Sequence, residues 1–148
     1  MGMIIFGEKE EGKEYIRRPA AYGVMFNSQK DKVAIIQTSD GKYFLPGGGI
    51  EKNETHQECL KREAIEETGM DIEIGQFIGS AQNYFYSIND NKHYLSEGFF
   101  YLCNMGKQIS VPTEVDHYLK WIKPNQAIEI LLHDHQSWAV NEALKKFI

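Results

Sequence analysis

Short apolar runs broken by polar turns fill the first third of the chain. Residues 20–26 and 32–38 are rich in apolar, β-branched and aromatic side chains, and the polar segment 27–31 separates them. Two such runs joined by a short turn predict a β-hairpin. A further short strand is predicted over residues 42–45, and Pro46 with the three glycines that follow is expected to end it.

The pattern becomes helical after the glycine run. Thr55 and Glu58 have the spacing of a capping box, in which each side chain binds the backbone N–H of the other residue. Gly69 stands where a left-handed residue would end the helix. The sequence therefore predicts one helix over residues 54–68.

The residue pattern in the remainder of the chain predicts two more strands and two more helices. Strands are predicted over residues 71–78 and 94–103, with a turn near 89–91 between them. A short helix is predicted over 124–131, where a proline lies near its start, and apolar residues at helical spacing predict a last helix over 137–148. This order of elements predicts an α/β fold in which helices pack on a mixed sheet.

Length and composition narrow the class of protein. The chain has 148 residues, of which 42% are hydrophobic and 25% charged, and this favours one globular domain over residues 1–148. A net charge of -5 argues against a surface for duplex nucleic acid, which would be basic. Two cysteines are too few for a disulfide framework, which favours a reducing compartment. No apolar run is long enough to span a membrane, and the N-terminus lacks a signal-peptide pattern. We therefore expect a cytoplasmic protein that binds neither membranes nor duplex nucleic acid.

Three carboxylates crowd one face of the predicted helix. Glu63, Glu66 and Glu67 lie within an arc of roughly 100°, and Arg62 relieves only part of their mutual repulsion. Oxygen donors without histidine or cysteine favour Mg²⁺ or Mn²⁺ over Zn²⁺, and the nearby glycines let backbone groups approach a metal or a phosphate. This pattern predicts a metal site for phosphoryl chemistry, although a solvated helix face beside a plain glycine turn would look similar.

The spacing of these residues resembles the Nudix box. All seven fixed positions of the box are present: Gly48, Glu54, Arg62, Glu63, Glu66, Glu67 and Gly69. The chain thus resembles the Nudix (MutT-like) hydrolases. That resemblance implies an α/β/α sandwich with a mixed sheet that binds divalent cations. It also implies cleavage of a nucleoside diphosphate linked to another moiety, by attack of water on phosphorus.

The resemblance also implies a role for each residue of the box. The implied metal ligands for Mg²⁺ or Mn²⁺ are the carboxylates of Glu63, Glu66 and Glu67 and the carbonyl of Gly47 or Gly48. Glu63 is also a candidate base for the attacking water, and Arg62 is expected to orient a box carboxylate through a bidentate ion pair.

A further acid from outside the box is expected as an extra metal ligand or base. Glu97 and Glu114 compete for this role. Glu114 is slightly favoured, because acids just ahead of a tryptophan such as Trp121 recur in the family. Either residue would otherwise be a plain surface carboxylate.

Candidates for substrate binding lie elsewhere in the chain. Arg17 and Arg18 could hold phosphate, or they could form a solvated strand edge. The aromatic run Tyr84, Phe85 and Tyr86 could stack on a base, or it could belong to an aromatic core. The histidines at positions 93, 117, 133 and 135 lack a zinc-site arrangement and are expected to be solvated or at the edge of the core.

The expected partner is a small-molecule nucleotide, with oxidised or normal nucleoside triphosphates and diadenosine polyphosphates as alternatives. A non-catalytic nucleotide sensor on the same fold is the alternative function, and a diphosphate-isomerising enzyme is a weaker one. The aromatic strand over 94–103 would also allow a homodimer.

Overall fold

The computed structural model describes residues 4–148, in which eight strands and three helices form. The strands are β1 (Ile4–Phe6), β2 (Ile16–Met25), β3 (Val33–Thr38), β4 (Tyr43–Phe44), β5 (Gly47–Gly49), β6 (Met70–Ser87), β7 (Lys92–Gln108) and β8 (His117–Ile122). The helices are α1 (His56–Thr68), α2 (Pro124–Ile130) and α3 (Asp134–Phe147). None of these helices is long and apolar enough to cross a membrane.

The strands form two sheets. The large sheet has the order β1-β6-β7-β2-β5, with parallel pairing of β1 to β6 and of β2 to β7 and antiparallel pairing elsewhere. The small sheet has the order β4-β3-β8 and is antiparallel. The predicted α/β class with a mixed sheet is confirmed, and the small sheet is an addition that the sequence did not predict.

Two apolar cores flank β2, because its side chains alternate between two covered faces. Ala20, Tyr22 and Val24 join the core that includes residues of α2 and α3. Ala21 and Met25 join the core beneath α1. This strand therefore sets the position of α1 relative to the rest of the molecule.

The hairpin predicted from residues 20–26 and 32–38 is wrong. β2 and β3 lie in different sheets, and the two runs meet at the isolated bridge between Phe26 and Val33 and at the hydrogen bond from the Asn27 N–H to the Lys32 carbonyl. β2 instead pairs over its whole length with β7, which is distant in sequence. A strand covered on both faces gains more from this central position than from a two-stranded hairpin.

The helix predicted over 54–68 is confirmed and begins two residues later than expected. Thr55 caps it, and both hydrogen bonds of the capping box to Glu58 are present. Gly69 ends it with a left-handed φ of 72°. These signals are local, and for that reason they could be recognised in the sequence.

The strands predicted over 71–78 and 94–103 and the last predicted helix are shorter than the elements observed there. β6 and β7 extend the strands predicted over 71–78 and 94–103 into one long hairpin, with its turn at the predicted place. The glycines of β5, expected to end a strand, form one that pairs with β2. α2 matches its prediction closely, and α3 begins three residues early, at Asp134.

Candidate active site

Two glycines of β5 lie directly against the carboxylate face of α1. The Gly47 N–H donates a hydrogen bond to Glu67 Oε1 at 3.0 Å. A Cβ built on Gly48 would lie 2.8 Å from the Glu63 carboxylate, and one on Gly47, where φ is 138°, would overlap the backbone of Ala21. Because glycine has no Cβ, the main chain of β5 can approach the helix this closely.

Burial and like charges dominate the electrostatics of this face. Glu67 is only 5% exposed, and burial raises its pKa well above the usual value, with Glu63, Glu114 and Glu66 adding repulsion and the Gly47 N–H opposing the shift. Burial also raises the pKa of Glu63, against the opposing effect of Arg62. These side chains thus form a cluster of carboxylates in which burial and mutual repulsion disfavour the ionised form.

Arg62 is the cation within this cluster. Its Nε and Nη2 atoms bind the two oxygens of Glu54 at 2.5 and 2.9 Å, which is the bidentate pair that the sequence predicts with a box carboxylate. Its Nη1 atom donates to Glu63 at 2.9 Å and to Glu66 at 3.3 Å. The hydrogen bond from Arg62 lowers the pKa of Glu54 to about 2. With Glu51 at 3.4 Å from Nε, one guanidinium therefore pairs with four carboxylates, and Glu67 is not among them.

The structure brings Glu114 to the cluster. The backbone N–H groups of Thr113 and Glu114 both donate to the Glu66 carbonyl at 2.9 Å, which anchors this loop at the end of α1. The charge of Glu114 raises the pKa of both Glu63 and Glu67, so it lies within electrostatic range of both.

Glu97, the competing acid, is held elsewhere. Arg17 donates to it at 2.5 Å and Gln82 at 3.1 Å, and the ion pair with Arg17 lowers its pKa. The Arg17–Glu97 ion pair gives both side chains a partner outside the carboxylate cluster, so the metal-ligand role of Glu97 and the phosphate-binding role of Arg17 stay predictions. The partnership crosses from β2 to β7, and no local pattern reveals that pairing.

Arg18 occupies a different place from Arg17, because neighbouring residues of a strand face opposite ways. Its Nε atom lies 3.4 Å from where a Cβ on Gly49 would stand. It also lines a cavity of about 550 Å³ together with Lys42, Phe44 and Phe85. Arg18 thus connects the glycine strand with this cavity.

Aromatic and basic residues line the same cavity. Phe85 lies 4.7 Å and Phe44 lies 5.8 Å from His133 between ring centroids, and Lys42 adds a second cation. Burial, followed by the charge of Arg18, lowers the pKa of His133 to about 4, so its ring is neutral at pH 7. These side chains can contact both a flat base and a phosphate.

Of the three predicted stacking residues, Phe85 has its ring among the cavity aromatics. Tyr84 and Tyr86 also border the cavity, but their rings contact Tyr15 and His93 at 4.9 and 4.8 Å. Strand alternation separates Phe85 from its neighbours and could have shown this in the sequence.

His117 is the site residue that the sequence analysis missed. Its Nε2 atom lies 3.9 Å from Glu67 Oε2, and its Nδ1 atom lies 4.0 Å from Glu114 Oε2. Nδ1 is buried and has no hydrogen-bond partner. The available signal was its position three residues after Glu114, at the start of β8.

The donor set fits a divalent cation, although the side chains are turned to other partners. Within residues 4–148, no group of three or more histidine, cysteine, aspartate and glutamate side chains is arranged to hold a metal ion. Glu63 and Glu66 bind Arg62, and Glu67 accepts from Gly47. The buried carboxylate of Glu67 nevertheless has no cationic partner that would stabilise its charged form, and the buried Nδ1 atom of His117 has no hydrogen-bond partner.

Comparisons with known proteins agree with this architecture. A family model described as NUDIX domain matches residues 16–144. The low-salt glycan biosynthesis protein Agl8 of Haloferax volcanii is 38% identical over 63 residues, covering 40% of each chain. Diphosphoinositol polyphosphate phosphohydrolase 2 of Rattus norvegicus is 24% identical over 121 residues, covering 80% of this chain and 65% of its own.

The fold is also found in a solved structure. The crystal structure of the MutT protein from Methanosarcina mazei has a TM-score of 0.67 at 19% identity, and the match covers 91% of this chain and 99% of that one. The chain spans 40% and 65% of the length of the two curated relatives.

Proposed function

Since the chain belongs to the Nudix family, we propose that it is a divalent metal-dependent hydrolase that cleaves the diphosphate bond of a nucleotide or nucleoside diphosphate derivative. The family resemblance inferred from the box is thereby confirmed. The observation that carries the proposed activity is that Glu63 and Glu67 lie against the backbone of Gly48 and Gly47, with Glu114 within electrostatic range of both carboxylates.

In this proposal the box residues hold Mg²⁺ or Mn²⁺. The ligands are the carboxylates of Glu63, Glu66 and Glu67 and the carbonyl of Gly47 or Gly48, with Glu114 as the extra acid. The bound cation offsets phosphate charge and lowers the pKa of the attacking water.

The chain's own residues then position the reacting groups. Glu63 or Glu114 accepts the proton of the water that attacks phosphorus, and Arg62 holds Glu63 by the hydrogen bond at 2.9 Å. Arg18 contacts the diphosphate, since it lies between the glycine strand and the cavity.

The cavity supports a nucleotide as the substrate class. The rings of Phe44, Phe85 and His133 offer stacking surfaces, and Arg18 and Lys42 offer positive charge to a phosphate chain. Nucleoside triphosphates and diadenosine polyphosphates both have a flat base for the rings and a phosphate chain for the positive charges. A cytoplasmic location and a homodimer stay predictions, as does a single domain over the whole chain.

A substrate panel with a matched blank tests the proposal. Wild type and Glu67→Gln would be incubated with Mg²⁺ or Mn²⁺ and oxidised or normal nucleoside triphosphates, nucleotide sugars, ADP-ribose, diadenosine polyphosphates and 5′-triphosphorylated RNA. A diphosphoinositol polyphosphate belongs in the panel because the rat relative carries that substrate in its name.

We expect one class to be hydrolysed by the wild type and not by the variant, with release of phosphate, diphosphate or a nucleoside monophosphate. If every compound stays intact while nucleotide and metal still bind, the proposal fails in favour of the non-catalytic sensor.

A further inference from the structure

We propose that His117 supplies a nitrogen ligand to the divalent cation of this site and thereby shifts the site's preference from Mg²⁺ toward Mn²⁺. The inference rests on the proposed function, because it assumes that the carboxylate cluster binds a cation. It goes further in naming a ligand from outside the Nudix box and a metal preference that follows from it.

The backbone of His117 is fixed by the small sheet. His117 is the first residue of β8 and stands opposite Thr38 of β3, and the neighbouring Ser39 N–H donates to the Asp116 carbonyl at 3.2 Å. Strand pairing with β3 holds the backbone of this residue, and its ring faces the end of α1. This pairing and the anchoring of residues 113–114 to the Glu66 carbonyl together hold the ring beside the carboxylates.

Two carboxylates lie on opposite sides of the ring. The distance from Nε2 to Glu67 Oε2 is 3.9 Å, and that from Nδ1 to Glu114 Oε2 is 4.0 Å. Both distances are too long for hydrogen bonds. Two ligand atoms that each bind one cation at about 2.1 Å are separated by roughly 3 to 4 Å. The spacing between Nε2 and Glu67 falls in that range.

The hydrogen bonding of the ring fits this role better than a structural one. Within residues 4–148, the ring of His117 makes no side-chain hydrogen bond, and its Nδ1 atom is buried without a partner. A histidine that serves packing at a core edge normally satisfies its buried nitrogen. A histidine that binds a metal directs its other N–H to a carboxylate, and Glu114 faces Nδ1 in that position.

A nitrogen ligand changes which cation the site favours. Mg²⁺ takes oxygen ligands almost exclusively, whereas imidazole raises affinity along the first-row series from Mn²⁺ upward. The ratio of Mn²⁺ affinity to Mg²⁺ affinity should therefore be higher in the wild type than in a variant without the ring. Since loss of an outer partner of a metal-bound histidine already lowers metal affinity by about tenfold or more, we expect loss of the ring itself to lower this ratio by about tenfold.

Electron spin-echo spectroscopy of the Mn²⁺-loaded protein tests the inference without any substrate. We expect the wild type to show nitrogen modulation from a directly bound imidazole, and we expect this modulation to disappear in His117→Gln. His93→Gln is the matched control, because His93 contacts Glu10 and Tyr15 and lies outside the cluster. It should retain the modulation, and labelling histidine with ¹⁵N should change its frequency in the wild type.

Competition titrations of Mn²⁺ against Mg²⁺ give a second measure. The affinity ratio should fall about tenfold in His117→Gln and stay unchanged in His93→Gln. Wild type that binds Mn²⁺ with no histidine nitrogen signal overturns the inference and leaves the proposed function intact. Wild type that binds neither cation overturns both. The wild-type spectrum decides the matter even if His117→Gln fails to fold.

Discussion

Glu67 has the least exposed carboxylate of the Nudix box, and its surroundings set much of the chemistry of the site. It receives one N–H from Gly47 and no cation, while three other carboxylates lie within electrostatic range. A charge held under these conditions binds a cation strongly, because binding removes both the repulsion and the cost of burial. The same side chain is therefore the most sensitive probe of the proposed reaction.

Replacing Glu67 with glutamine should lower kcat at least about 10³-fold, which corresponds to roughly 4 kcal/mol of activation free energy. The amide keeps the size of the side chain and its acceptor for the Gly47 N–H, but it removes the charge that would bind the metal. Steady-state kinetics on the substrate found in the panel would measure the loss. Activity within tenfold of wild type would contradict the assignment of Glu67 as a ligand.

Glu114 and Glu97 should respond differently to the same substitution. Glu114→Gln should lower the rate or raise the metal concentration required for half-maximal rate, because Glu114 lies within the cluster. Glu97→Gln should change either quantity by less than about threefold, since it only weakens a pair with the largely exposed Arg17. The measurement is a metal titration of initial rates for both variants. Equal and negligible effects of the two variants would show that neither acid takes part in metal binding or in the reaction.

Between elements, the contact of β5 with α1 is the one that the site depends on. Gly48→Ala would place a methyl group 2.8 Å from the Glu63 carboxylate and should lower kcat by displacing that side chain. Gly49→Ala is the matched control, because its methyl group would lie 3.4 Å from the flexible side chain of Arg18. It should leave kcat near wild type and affect mainly KM. A similar loss of kcat in both variants would point to general damage to β5.

The first turn of α3 introduces a dependence of stability on pH. His135 is fully buried beside Tyr22 and Phe100, and burial lowers its pKa to about 3 from the ordinary value of 6.5. Below pH 6.5 the unfolded chain binds a proton that the folded chain does not, so stability falls as the pH falls. The loss is about 1.4 kcal/mol for each pH unit until the folded pKa is reached.

His135→Gln should therefore reduce the difference in unfolding free energy between pH 7 and pH 5 by about 2 kcal/mol. Urea unfolding at the two pH values measures this difference. Ser96→Ala is the control: it removes the hydroxyl 3.2 Å from His135 Nε2 and should lower stability at both pH values while keeping the difference. An unchanged difference in His135→Gln would mean that the ring is not held neutral.

Local elements could be predicted from the sequence, whereas pairings between distant segments could not. The capping box and Gly69 define α1 because their partners lie within a few residues. The true partner of β2 is β7, and no short-range signal distinguishes it from β3. The same limit explains why the Nudix box itself was recognised while the Arg17–Glu97 pair and the place of His117 were not.

At the scale of the whole molecule, the site joins parts that belong to different sheets. Gly47 belongs to the large sheet, His117 begins a strand of the small sheet, and Glu67 lies on the helix between them. A cation bound by these parts would link the two sheets. Its binding energy would then add to the stability of the complete fold and not to that of one helix.

Mg²⁺ or Mn²⁺ at millimolar concentration should therefore raise the melting temperature of the wild type by several degrees at neutral pH. A cation at one hundred times its Kd adds about 2.7 kcal/mol of stability. Thermal unfolding followed by circular dichroism measures the shift, with Glu67→Gln as a control that should show little or none. A wild-type melting temperature that does not change with either metal would argue against the proposed cation site.

The parallel pairing of β2 with β7 has a consequence for how the chain reaches this structure. Ile16 stands opposite Tyr94, so the centre of the large sheet closes only after most of the chain is available. Contacts so far apart in sequence slow folding, because a long loop must close before any stabilisation is gained. During synthesis α1 and its carboxylates leave the ribosome well before β7. Until β7 is synthesised, β2 lacks its strand partner, and its apolar side chains are exposed to aggregation with other chains.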